Sequence, residues 1–180
     1  MTRKTLALAG VLVVGALIPV ALAQVRRPTL PAPVLTQAQQ AMRAYVEGRF
    51  DDAVALTAKD QFDPELVAIH AKALIARGKY KDAEDLLRPV VQRQPLSDAA
   101  LELGLLLQMQ SRAEGTQILS RVADAAATAG RPNELARSGR ALEALGRFNE
   151  ANAAFRDAAT DAPNDPAIQA AWGEMFLDGR

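Results

Sequence analysis

The chain has 180 residues, enough for one domain with a substantial core. Its 21 basic and 21 acidic residues cancel, which leaves no electrostatic case for nucleic acid; the lack of cysteine excludes disulfide frameworks, thiolate metal sites and cysteine nucleophiles. Alanine and leucine are abundant and aromatics few, which argues against a β-sandwich.

The first residues read as an export signal. Arg3 and Lys4 are followed by an apolar run from Leu6 to Val20, and Ala21-Leu22-Ala23 offers small residues for cleavage, making residues 1–23 a signal peptide and Gln24 the first mature residue. The competing reading is an uncleaved membrane anchor, for which the run is short. Residues 24–35 form a linker in which Pro28, Pro31 and Pro33 forbid a helix. A periplasmic or secreted location follows, with no stable membrane span once the signal is removed.

Residues 36–180 carry helical patterning in recurring units, with boundaries near 36–63, 64–96, 97–131 and 132–165 and a partial unit at 166–180. In unit one, Ala41, Ala44 and Tyr45 lie on one face of a first helix starting near Thr36. Its second helix, Asp51 to Lys59, is short, and Thr57 stands where a large apolar residue is usual, so loose packing is expected there. Unit two opens on Asp63-Pro64-Glu65, a strong helix start. Val67, His70, Ala71 and Leu74 mark its first helix, Ala83 and Leu87 its second, and Pro89 should kink or shorten that second helix.

Unit three has Ala100, Leu103, Gly104 and Leu107 in its first helix. Thr116 and Ser120 then take the places of the small and large packing residues of its second, read from Glu114 to Ala129. Unit four, Arg131 to Pro163, is the clearest: Leu135, Ser138, Gly139 and Leu142, then Ala151 and Phe155, then Pro163. Gly139 permits a close helix approach, Ala151 keeps it tight, and Phe155 fills the space beside them. Unit five gives Gln169, Trp172, Gly173 and Phe176 at the same spacing. A turn signal, Gly-basic-aromatic-x-x-Ala, recurs at Gly48, Gly78 and Gly146, with a weaker copy at Ser111.

This pattern resembles the tetratricopeptide repeat, W-x2-L-G-x2-Y, A-x3-F and P over about 34 residues. The resemblance implies an all-α solenoid, a right-handed superhelix of antiparallel helix pairs, with about four repeats plus a terminal helix. It also implies a non-enzymatic scaffold that binds a protein or peptide in a concave groove lined by first helices. By helical phase the groove residues are Met42, Tyr45, Lys72, Ile75, Leu101, Leu105, Gln108, Asn133, Arg140 and Glu143. Leu101 and Leu105 have the alternative of packing against a neighbouring unit. The family's carboxylate clamp does not carry over, because Ala38, Ala68 and Ala136 occupy the phase of its polar groups. Lys72 and Arg140 remain able to pair with an acidic ligand.

No catalytic set, cofactor or metal is expected. His70 is the only histidine, on a packing face, without a nucleophile pattern beside it. Carboxylate pairs such as Asp51-Asp52 are sequence neighbours that do not face each other on a helix. The rival to a free-standing scaffold is the N-terminal repeat arm of a larger enzyme or envelope-assembly protein. A further expectation is that Trp172 and Phe176 form an apolar end supporting end-to-end self-association.

Overall fold

A computed structural model describes residues 34–128 and 130–178; the expected signal and most of the linker lie outside the described residues. Among the described residues there are nine α-helices and no strand. They are α1 (Gln37–Val46), α2 (Phe50–Thr57), α3 (Pro64–Ala76), α4 (Tyr80–Arg93), α5 (Asp98–Met109), α6 (Ala113–Asp124), α7 (Pro132–Ala144), α8 (Phe148–Asp161) and α9 (Pro166–Asp178). A short 3-10 segment, Ala125–Thr128, follows α6.

Helix starts follow the local chemistry. Thr36 and Gln39 form a reciprocal capping box on α1, the Thr36 hydroxyl accepting from the Gln39 N–H at 3.2 Å and the Gln39 amide oxygen accepting from the Thr36 N–H at 2.9 Å. The Asp63 carboxylate accepts from the backbone N–H of Glu65 and Leu66, with Pro64 opening α3. Ser97 caps α5 in the same way. Pro89 does not shorten α4: the helix continues four residues past it, to Arg93. The second helix of unit one ends at Thr57, two residues short of the expected Lys59.

Successive helices pack as antiparallel pairs, α1 with α2 through α7 with α8, and first helices also touch across units, α1 with α3, α3 with α5, α5 with α7, and α7 with α9. This is the stacking of an α-solenoid. One apolar core runs from Val67 in α3 to Met175 in α9, and Phe155 and Leu87 sit wholly inside it. A second small cluster, Ala44, Ala53 and Ala73, joins α1 and α2 of unit one to α3, with the rim residues Tyr45, Phe50, Val54 and Leu56. Thr57 is completely buried there, its hydroxyl donating to the Ala53 carbonyl at 2.8 Å.

Unit three corrects the expected register. Thr116 is exposed, whereas Gly115 and Leu119 are buried in the helix-pair contact. The cause lies in the turn. Ser111 adopts the left-handed conformation at φ 58°, as the turn glycines do, but Arg112 then runs extended at ψ 125° where Lys79 and Arg147 sit at ψ 57°. The helix is thereby rotated by about one residue, and Gly115 meets α5 so closely that a Cβ there would lie 2.5 Å from the Gln108 backbone nitrogen.

Candidate functional site

The face shared by the first helices carries a chain of polar contacts. Glu102 of α5 is 5% exposed, and one of its carboxylate oxygens lies 3.2 Å from the Lys72 ammonium of α3 and 3.4 Å from the Arg140 guanidinium of α7. The Lys72 ammonium also stands 6.0 Å from the centre of the Tyr45 ring of α1, a cation–π contact. Burial, and next the negative charge of Glu102, push the Tyr45 hydroxyl above its ordinary pKa, while Arg140 opposes this. Four successive first helices therefore contribute to one row: Tyr45, Lys72, Glu102 and Arg140.

A second layer lies nearer the helix starts. Arg137 of α7 makes a two-pronged contact with Asp98 of α5, at 2.8 and 2.9 Å, and donates to the Leu96 carbonyl at 2.8 Å. Glu65 of α3 borders this pair. Burial, then the charges of Asp98 and Asp63, raise its pKa, against the pull of Arg137. At the other end of α5 the Gln108 amide donates to the Ala144 carbonyl of α7 at 2.8 Å. These links tie unit to unit as well as shaping the face.

Of the expected groove residues, Met42, Tyr45, Lys72, Ile75, Leu105, Gln108, Arg140 and Glu143 are half-buried and Asn133 is exposed. Leu101 is a correction. At 1% exposure it belongs to the core and offers nothing to a partner, because α5 is the central first helix and is covered on more than one side. Leu105 keeps a partly open surface beside that core. Lys72 and Arg140, read from the sequence as able to pair with an acidic ligand, share the Glu102 carboxylate within the chain.

Glu102 was not legible as part of this row. Lys72 and Arg140 each follow the small residue of the repeat pattern by one position, and the same phase in α5 selects Leu105, about one turn away. Glu174 of α9 does hold that phase, directly after Gly173, and its charge reaches Tyr45. A charged residue inside the apolar stretch from Ala99 to Leu107, as Glu102 is in α5, was the available signal.

Among the described residues no group of three or more His, Cys, Asp or Glu side chains is placed to hold a metal ion. His70 is half-buried, and burial lowers its pKa. Among the described residues no helix is long and apolar enough to cross a membrane.

No protein-family model matches the chain, and no curated protein matches it. Among solved structures it is similar to MamA MSR-1, at 26% identity over 79% of this chain and 84% of that one, with a TM-score of 0.42. It is similar as well to a thermophilic tetratricopeptide repeat protein of Thermus thermophilus, at 16% identity over 78% and 97%, TM-score 0.43. A tetratricopeptide repeat protein of Parabacteroides merdae gives 12% identity over 78% and 57%, TM-score 0.44. The solenoid rests on the stacked helix pairs themselves.

Proposed function

We propose that the chain is an exported scaffold that binds a protein or peptide partner along the face of α1, α3, α5 and α7. The observation that supports this most directly is the row Tyr45–Lys72–Glu102–Arg140, in which each of units one to four contributes one side chain to a common surface. Half-buried Met42, Ile75 and Leu105 add apolar contact, and Gln108 and Asn133 add hydrogen-bonding groups. Such a surface is amphipathic rather than cationic, since its two basic groups already have a carboxylate between them. It suits an extended or helical segment of mixed character better than a purely acidic one.

The test is site-directed photo-crosslinking in the full chain, expressed in its source cells. A crosslinker at Met42 or Asn133 should capture one discrete partner. The same group at Lys81 or Arg156, exposed on second helices, should capture none. Adducts formed only from Lys81 or Arg156 would refute the inner-face model. Export is checked separately: N-terminal sequencing of protein recovered outside the cytoplasm should begin at Gln24.

A further inference from the structure

The charges of the inner face are not evenly committed. Its cations, Lys72, Arg137 and Arg140, are all engaged by carboxylates of the chain: Arg137 grips Asp98 at 2.8 and 2.9 Å, and Lys72 and Arg140 share Glu102. Two carboxylates are left over. Glu65 of α3 and Glu174 of α9 are exposed, and neither forms an ion pair or a side-chain hydrogen bond among the described residues. Glu65 stands in the first turn of α3, where the positive end of the helix partly answers it. Glu174 lies in the C-terminal half of α9, where the helix dipole gives no such compensation, and from Pro166 to Asp178 that helix supplies no basic residue.

The charge of Glu174 is felt across the groove. Together with Glu102 it acts to raise the pKa of the Tyr45 hydroxyl on α1, with Arg140 of α7 opposing them. Side chains from α1, α7 and α9 therefore border one space on the inner face. Met42, one turn before Tyr45, and Leu105 of α5 are half-buried and offer apolar surface for the stem of a long side chain.

We propose that the inner face takes its partner through a lysine or arginine side chain, whose charged end pairs with Glu174 on the side facing Tyr45. The proposal rests on the inner-face reading above and names the chemistry of what lies there. An acidic side chain is disfavoured, because it would have to draw Lys72 or Arg140 away from Glu102 and leave that buried carboxylate short of a partner. A cation instead meets a hydrated carboxylate with no bond to give up, and forms a charge-assisted hydrogen bond with it. The same attraction orients the encounter and speeds it. The occupant is accordingly a segment of another protein in which Lys or Arg stands among apolar residues.

The probes are peptides Gly-Ala-Leu-X-Ala-Leu-X-Ala-Leu-Gly carrying a neutral dye, with X as Lys, Gln or Glu and with both ends capped to remove their charges. Fluorescence anisotropy with the full chain at low salt should show the Lys peptide binding about fivefold more tightly than the Gln peptide, and the Glu peptide most weakly. Added salt should erase most of the difference. Glu174→Gln in the protein should remove the Lys preference without changing the melting temperature, because Glu174 is exposed and holds no other side chain. Asp85→Asn, an equal loss of charge at an exposed site on α4, should leave the preference intact. Tightest binding by the Glu peptide, a Lys preference lost equally on Asp85→Asn, or no binding of the Lys peptide up to about 1 mM would overturn the proposal. The inner-face reading is judged apart from it. Crosslinks from Met42 and Asn133 in a chain that shows no Lys preference would uphold that reading and refute this one.

Discussion

Phe155 is the side chain whose loss the molecule should tolerate least. It is wholly buried, and its ring fills the groove that Gly139 leaves in α7. Phe155→Ala should cost roughly 3–5 kcal/mol, through lost transfer energy and the cavity left behind. A urea-denaturation midpoint equal to the wild type's would contradict that burial. The helical glycines give an ordered series, since Ala is favoured over Gly by about 1 kcal/mol within a helix. At Gly173 the space is open, so Gly173→Ala should stabilise by up to about that amount. Gly139→Ala must displace the Phe155 ring, and overpacking of about 1–3 kcal/mol should outweigh the propensity gain. Gly115→Ala should be the worst, because its Cβ would meet backbone atoms of α5 that cannot turn away. Denaturation of the three single variants checks the order. His70 gives a pH signature. Burial holds its imidazole below the ordinary 6.5, so the unfolded chain takes up a proton while the folded one still resists it. Stability should therefore decline as pH falls below 6.5, before carboxylates held down by arginines, such as Glu114 and Glu150, begin to matter below about 4.5. His70→Gln should flatten that first slope, and an unchanged slope would assign it elsewhere.

At the scale of helices, what binds one unit to the next is partly ionic, and the ionic contacts differ in weight. Arg88 and Arg112 share Glu84 and Glu114 between α4 and α6, but these side chains are mostly well wetted and each contact contributes little. Glu102 is different because it is desolvated between α3 and α7. Removing both Lys72 and Arg140 leaves a buried charge without a partner, at a cost of roughly 3–5 kcal/mol. The double variant Lys72→Ala with Arg140→Ala should accordingly be strongly destabilised, and adding Glu102→Leu should restore much of the loss. Thermal melts of the double and triple variants decide this. A double variant as stable as the wild type would mean that Glu102 is hydrated after all. The same logic governs any binding assay on this face, where Lys72 and Arg140 should be changed only together with Glu102.

For the whole described molecule, stability should be distributed along the stack rather than held in one nucleus. Each unit touches mainly its neighbours, so local opening can proceed from weakly buttressed elements. α1 and α2 rest on a small cluster of alanines, whereas α5 and α6 bury Leu103, Leu106, Leu107, Leu119 and Val122 almost completely. Native-state hydrogen exchange should show the amides of α1 and α2 opening first and those of α5 and α6 last. Equal protection throughout would mean that the stack opens as one cooperative unit.

Much of this architecture could be read from the sequence by itself, because it is written in short-range terms. Small residues recurring near every 34th position, Gly-basic-aromatic turns, and Asp or Ser before Pro or apolar runs each act within a turn or two of helix, where 3.6-residue periodicity makes faces legible. That was enough to place nine helices, the burial of Phe155 and Gly139, and an apolar surface at Phe176. Contacts between helices 30 or more residues apart were decided only by the tertiary structure. A one-residue change of phase after Arg112 put Gly115 and Leu119, not Thr116 and Ser120, into the packing of unit three. Leu101 shares its helical phase with Ala68 and Ala136, and all three are buried once the first helices stack on one another. Glu102 joins Lys72 and Arg140 because three helices converge on one carboxylate, and the desolvation that makes this contact strong exists only once they have packed.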